Sequence, residues 1–419
     1  MAASALLTFV AAVTSCEKDG FEKDYPVPNM SLTKVTLNEA QYGYMTAGNQ
    51  FSLGLLHHLY KGKNTVVSPL GVQMALGMSL NGARGATADE IIDVLGYGTN
   101  KEKDINEYCQ VLLEQLPALD KSVKLKFADA VVTDTGFGLT KSFKNTLKDY
   151  YYAPAESYSL KSSEALGRIN EWASRNTEGL INPFIDKIPD NTVALLLNSV
   201  YFKARWWSSM FMYEDKESRD FIMENGKAVK VNYLRAHAEL GYNSSDVLWL
   251  LNLPYAGEAF SMYILLPKDE SEGSCNRLLK SLSESSLKAL METEQKFFTS
   301  VYLPEFDITS DLKLKTTLQA LGIKKAFDDI EADFSRMYNK TPESNNLYIS
   351  DFLQKTRIMN TNWGTEAASG TVAEYGDPIE AEMDDEGILV FDANHPFIFL
   401  IVEKLTGAII FEGVFSAQS

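Results

Sequence analysis

The chain has 419 residues, 45% of them hydrophobic, enough for one large core or for two or three small ones. Its formal charge of −17 argues against holding DNA, RNA or an anionic membrane face through a general basic surface. Three cysteines in this length are no disulfide scaffold.

Residues 1–15 are small and apolar around Ala5-Leu-Leu-Thr-Phe-Val-Ala-Ala-Val13, and Cys16 follows Thr14-Ser15. The pattern resembles a bacterial lipoprotein signal, in which the cysteine becomes the lipidated first residue, although no Lys or Arg precedes the apolar run. Residues 1–16 are therefore read as a signal, 17–38 as a tether, and 39–419 as a single domain. Localisation is expected outside the cell or on the outer surface of a bacterium. The apolar run falls short of the ~18 residues a membrane-spanning helix needs. Cys109 and Cys275 are read as separate buried thiols, with a single disulfide between them as the alternative.

Further along, the apolar rhythm of Tyr44, Phe51, Leu53, Leu55, Leu56 and Leu59 predicts a helix over residues 41–61. Thr65-Val-Val67 before Ser68-Pro69 is a short buried strand. Residues 72–80 are helical and closed by Asn81-Gly82. Thr87 and Glu90 have the spacing of a capping box at the start of the next helix, which Gly96 stops. A strand is predicted over 124–133 and a helix with Ile169 and Trp172 over 163–176. Residues 191–202 are almost wholly apolar, as in a strand covered on both faces. Residues 248–254 and 260–266 flank Tyr255-Ala-Gly-Glu258 as a hairpin. A helix over 312–321 ends at Gly322, and the chain closes with strands at 396–402 and 408–411. Helices and strands mix without a steady βαβ rhythm, so the class is α+β.

Enzyme motifs are missing from the sequence. His57, His58, His237 and His395 form no H-E-x-x-H pair, no cysteine lies in C-x-x-C, and there is no G-x-S-x-G or glycine-rich nucleotide loop. No metal and no cofactor is expected. His395, ahead of an apolar strand, is read as a hydrogen-bonded structural histidine.

One family unites the stretches. Asn64-Thr-Val-Val-Ser-Pro-Leu-Gly71, Gly82-Ala-Arg-Gly85, Asn170-Glu-Trp-Ala173, Leu197-Asn-Ser-Val-Tyr-Phe-Lys203 with Trp206, and Leu253-Pro-Tyr-Ala-Gly257 resemble serpin signatures. So do Leu303-Pro-Glu-Phe306, Leu321-Gly-Ile-Lys-Lys-Ala-Phe327, His395-Pro-Phe397 and Phe411-Glu-Gly413, all in family order. The resemblance implies about nine helices around three β-sheets, one of them dominant, with an exposed reactive loop at about residues 364–390. It also implies a mechanism. A serine protease, sometimes a cysteine protease, cleaves the loop and forms an acyl-enzyme. The loop then inserts as a new strand and carries the tethered protease away. A monomer is expected, with no nucleic-acid partner and no membrane contact beyond the lipid anchor.

The expected hinge is Gly364, Thr365, Glu366, Ala367, Ala368, Ser369 and Gly370. Its small side chains suit a strand that slides between neighbours, and alternation places Glu366 opposite Thr365 and Ala367. Residues 374–386 then carry seven carboxylates and no Lys or Arg. Family spacing puts the reactive bond at Pro378-Ile379, with Tyr375, Glu380 and Met383 as alternatives. Tyr375 suits a chymotrypsin-like pocket, Ile379 or Met383 an elastase-like one, and Glu380 a glutamyl-specific one. No Lys or Arg occurs from 364 to 391, which argues against a trypsin-like target. By resemblance, sheet opening involves Ser68, Asn198, Trp206, Gln354 and Asn362. Gln354 stands where the family commonly has a histidine, Asn362 where an acid is common, and Gly71 where a serine is common. These departures predict an altered barrier to opening rather than lost inhibition. The function expected is irreversible suicide-type inhibition of a non-tryptic serine endopeptidase of elastase-, chymotrypsin-, glutamyl- or subtilisin-like class. The alternative is a non-inhibitory serpin-fold binding or structural surface protein.

Overall fold

Asn38 starts the first helix through a reciprocal cap. Its side chain accepts from Gln41 N, and the Gln41 side chain accepts from Asn38 N. The computed structural model describes residues 34–98, 102–211, 217–339, 346–365 and 388–418. Helix α1 (Glu39–Leu59) leads to β1 (Thr65–Val67) and then α2 (Pro69–Leu80). Ser68 caps α2 and Pro69 opens it, as expected where the first N–H has no helical partner. Every residue of α2 is buried and none is charged, so it runs as a central spoke rather than an amphipathic surface helix.

Helix α3 (Gly85–Leu95) starts earlier than the capping-box spacing predicts, because tertiary contacts take both side chains. Thr87 Oγ1 accepts from Asp333 N at 2.9 Å, and Glu90 Oε2 accepts from Lys324 N and Lys325 N, each at 2.7 Å. Then come α4 (Glu102–Gln115), β2 (Val123–Asp134), α5 (Lys141–Tyr151), β3 (Ala155–Tyr158), α6 (Ser163–Asn176) and β4 (Ala194–Arg205). Next are β5 (Glu217–Ile222), β6 (Ala228–Ser244), the hairpin β7 (Leu248–Pro254) and β8 (Phe260–Pro267), α7 (Ser274–Ser281) and α8 (Glu284–Glu292). The chain continues through β9 (Gln295–Pro304), β10 (Phe306–Lys313), α9 (Lys315–Leu321), β11 (Asp351–Thr361) and β12 (Gly364–Thr365). It ends in β13 (Leu389–Asp392), β14 (Phe397–Glu403) and β15 (Ile409–Phe415). Helix α9 is shorter than the predicted 312–321, because Leu312 and Lys313 pair with Gln354 and Leu353 as the end of β10.

Two hydrogen-bonded sheets result. The first has the order β10-β11-β12-β4-β2-β3. The second has nine strands, β1-β15-β14-β8-β7-β6-β9-β13, with β5 beside β6. The resemblance implied two separate smaller sheets here; the 17-residue β6 joins them by pairing with β5, β9 and β7 along its length.

The main core lies between the sheets and around α2, and β14 and β15 are wholly buried within it. A second apolar cluster sits beneath α6, where Ile169 and Trp172 cover Ala130, Val132, Leu195, Leu197 and Leu353. His395 is buried, with Nδ1 at 2.8 Å from Asn394 Oδ1 and Nε2 at 2.8 Å from the Pro267 carbonyl, in keeping with a structural role. Cys109 and Cys275 are free and buried. Among the described residues no helix is long and apolar enough to cross a membrane, and no group of three or more His, Cys, Asp or Glu is placed for a metal.

Candidate functional site: the parted seam of the six-stranded sheet

Strands β4 and β11 are each secured on their outer edges. β4 pairs with β2 from Val123↔Ala204 to Thr133↔Ala194, and β11 pairs with β10 from Phe306↔Asn360 to Lys313↔Leu353. Toward each other they pair only at one end, in parallel, from Leu195↔Asp351 to Asn198↔Gln354. Beyond that fork, residues 199–203 and 355–359 form no pairs across the seam. At the far end β12 is wedged between them, antiparallel to both, with Thr365 beside Asn360 and Ala204, and Gly364 beside Thr361 and Arg205. The sheet is open in the middle and already holds the first two residues of a further strand.

The wedge is shaped by its residues. Gly364 has φ +148, and a Cβ there would run into the backbone of Ala204 and Arg205, so only glycine fits. Thr365 is fully buried, and its hydroxyl lies 2.6 Å from Tyr255 Oη. Tyr255 in turn stacks on Trp206, with centroids 4.8 Å apart and planes 6° from parallel. Trp206 Nε1 donates to the Thr361 carbonyl at 2.8 Å, which ties the tip of β11 to the end of β4. Burial drives the Tyr255 phenol far above its ordinary pKa, so it stays a neutral hydroxyl. Tyr255→Phe is expected to remove about 1 kcal/mol of native stability by leaving Thr365 short of a partner. Thermal melting and hydrogen exchange at the Thr365 amide would measure it, and an unchanged melting point would refute this role for Tyr255.

At the fork sits a buried polar group. Gln354 Nε2 donates to Asn198 Oδ1 at 2.5 Å and to the Ser68 carbonyl at 2.9 Å, while Gln354 Oε1 accepts from Ser68 N at 2.9 Å. Ser68 Oγ donates to the Ile410 carbonyl at 2.7 Å and accepts from Gly71 N at 3.3 Å. The absence of a side chain at Gly71 has a direct reason, since a Cβ there would lie 2.5 Å from Asn198 Oδ1. Asn198 Nδ2 donates to Asp129 Oδ1 at 2.8 Å.

The structure thus gathers Ser68, Asn198 and Gln354 at the fork, and Trp206, Gly364 and Thr365 at the wedge. Asn362 lies half-buried in the turn between β11 and β12, beside the exposed Trp363. Glu366, Ala367, Ala368, Ser369 and Gly370, the reactive-bond candidates Tyr375, Pro378, Ile379, Glu380 and Met383, and Cys16 lie outside the described residues. The roles of two residues escaped the sequence reading. Tyr255 lies 110 positions from Thr365, and no local pattern announces that contact. Asp129 had a visible signal, a carboxylate at an inward position of the apolar strand Ala128-Asp-Ala-Val-Val132.

The six-stranded sheet therefore has one parted seam, with Gly364–Thr365 seated at its far end. Comparison with known proteins gives the family. The family described as serpin (serine protease inhibitor) matches residues 46–417. An uncharacterized serpin-like protein of Thermococcus kodakarensis is 32% identical over 372 residues, covering 88% of this chain and 84% of that protein. Serpin-Z7 of Hordeum vulgare is 32% identical over 367 residues, covering 84% of this chain and 89% of the other. The crystal structure of tengpin, a thermophilic serpin in the native state, superposes with a TM-score of 0.82 at 28% identity, covering 92% of this chain and 96% of that one. The chain belongs to the serpin family. It has the α+β serpin fold and is not an enzyme.

Proposed function

We propose that this serpin traps a non-tryptic serine endopeptidase by inserting its cleaved loop into the seam between β4 and β11. The observation that carries the reading is the register of β12. Because Thr365 sits beside Ala204 and Asn360, each further loop residue would step one position back along both neighbours. Ala367 would then meet Phe202 and Ile358, Ser369 would meet Val200 and Thr356, Thr371 would meet Asn198 and Gln354, and Ala373 would meet Leu196 and Phe352. All of those neighbours are buried, so only small side chains fit there. On the opposite face Glu366 would lie beside Lys203, an opposite charge. Glu374 would arrive beside Asp351, whose carboxyl burial already pushes above its ordinary pKa, so like charge marks where entry stops.

The target class follows from residues 364–391, which offer acids, Tyr375, Ile379 and Met383 but no Lys or Arg. A cleft that is basic or tolerant of acids suits them. We place the protein at the outer surface of a bacterial cell, held by a lipidated Cys16; this part rests on residues 1–16 alone. Mass analysis of the mature N-terminus tests it, and an unmodified Cys16 in protein from its native host would remove the anchor.

The decisive assay mixes the protein with elastase-, chymotrypsin-, glutamyl- and subtilisin-like proteases and resolves the products on a denaturing gel. An ester-linked band with at least one of them is expected, with the cut between residues 373 and 383 by mass spectrometry. Clean cleavage with continued turnover by all of them would favour a binding or structural role without trapping.

A further inference from the structure

We propose that Asp129, Asn198, Gln354 and Ser68 form a protonation-controlled clasp at the fork of the six-stranded sheet, so that the ionisation of Asp129 sets how readily the seam opens further. The inference rests on the insertion reading above and adds a regulator to it.

The position of the clasp is the first argument. Asn198↔Gln354 is the last direct pair between β4 and β11 before they part, so it is the pair that must break next when a strand advances. Its hydrogen bonds run as one chain. Gln354 Nε2 donates to Asn198 Oδ1, and Asn198 Nδ2 donates to Asp129 Oδ1. Through Ser68 the same glutamine is fixed to the start of α2 and, beyond it, to β15.

The second argument is what Asp129 lacks. Its side chain is buried, Oδ1 has one donor, and Oδ2 has no partner. No cation among the described residues faces it. Helix α2, packed against this face of β2, carries no titratable side chain. From α4 comes Cys109, a thiol pushed up to about 12 by burial, with a smaller contribution from Asp129 itself. Beside Cys109 stands Tyr151 of α5, also raised by burial. Both stay neutral near neutral pH. Burial therefore governs Asp129, opposed only by the Asn198 hydrogen bond, and pushes its carboxyl up to about 7.

Opening changes this environment. As Gln354 leaves Asn198, the fork widens beside Asp129 and water reaches Oδ2, so the carboxyl moves back toward its ordinary value. A carboxyl raised in the closed state binds its proton more tightly there than in the open state. The closed clasp is therefore favoured fully below the ordinary carboxylate range and loses that advantage as pH rises toward 7. Entry of a strand is expected to be slow in mild acid and fast above neutrality.

The test uses the full chain with a synthetic peptide of the sequence of residues 364–373 in excess. Its rate of incorporation is followed on native gels from about pH 5.5 to about pH 8.5. The wild-type rate should rise on the order of tenfold, as it does when the closed clasp holds its proton about ten times more tightly than the opening one. Asp129→Asn keeps the shape without the titration and should hold a flat profile at the slow rate. A wild-type profile that is flat or falls, or an equal slope in both proteins, overturns the clasp while leaving insertion intact. Failure of the peptide to enter at any pH overturns the insertion reading and the clasp with it. Should Asp129→Asn not fold, the carboxyl stretch of isotope-labelled aspartate in the wild type reports the titration directly. A midpoint near 7 supports the proposal and one in the ordinary carboxylate range ends it.

Discussion

Thr365→Arg is expected to turn the protein from a trap into a substrate. The native position of Thr365 is fully enclosed between Ala204 and Asn360, with its hydroxyl on Tyr255. An arginine there would bury a charge with no anion beside it, a cost of at least several kcal/mol against leaving the segment in water. β12 would therefore be expelled, and the loop would have to enter the seam from outside with its first inward residue rejected. Cleavage itself needs only loop residues beyond Thr365 and should proceed. The assay is the ratio of denaturant-stable complex to released protease, which should fall by two orders of magnitude or more at ~3 kcal/mol. Undiminished complex at the parental rate would show that the wedge at Gly364–Thr365 is incidental. Thr365→Ser, which keeps the hydroxyl for Tyr255, should stay close to the parent.

Cutting the loop without trapping should raise thermal stability sharply. The unpaired edges of β4 and β11 over residues 199–203 and 355–359 are the reason. A strand filling them, and replacing the direct pairs from Leu195↔Asp351 to Asn198↔Gln354, adds roughly ten backbone hydrogen bonds at about 0.5–1.5 kcal/mol each. Burial of Ala367, Ser369, Thr371, Val372 and Ala373 adds to this. A gain on the order of 10 kcal/mol corresponds to a rise of at least ~10 °C for a domain of this size. Calorimetry of intact and singly cut protein measures it. An unchanged melting point would mean that the intact protein holds no stored free energy and that its open seam has another use. Before the cut, a barrier to parting the fork would be what keeps the intact form in place.

How far the sequence disclosed this depends on the element. Helix α6 was legible at both ends because Ser162 caps it and Ile169, Trp172 and Ala173 form one apolar stripe. The buried strands β1, β4 and β14 read clearly as apolar runs. Strand β11 did not, for a physical reason. Its inward face mixes Gln354, Thr356 and Asn360 with Phe352 and Ile358, so the alternation that announces a half-buried strand is blurred. Of these, Gln354 reaches across the fork to Asn198, and Asn360 donates to the Pro304 carbonyl. Strand β6 was missed because it crosses between environments, exposed at one end and enclosed further along, and so shows no constant period. Of the site, the hinge composition and Ser68, Asn198, Gln354 and Trp206 were identified by resemblance. The sequence could not show that the first two hinge residues are already seated, since that depends on Tyr255 and Trp206 meeting them from distant segments.

Helix α6 would give the proposed trapping step a direction. It lies over the end of the seam where β4 and β11 still touch, resting on Leu197 and Leu353. An advancing strand would pass beneath it, so the helix would have to lift, briefly uncovering Ile169 and Trp172 to solvent. Once the strand is through, the same register would set Val372 between Leu197 and Leu353 and add one more aliphatic side chain to those the helix already covers. In the proposed mechanism it would behave as a pawl, yielding to forward motion and gripping harder against retreat, so that a captured protease would not be released by running the motion backwards.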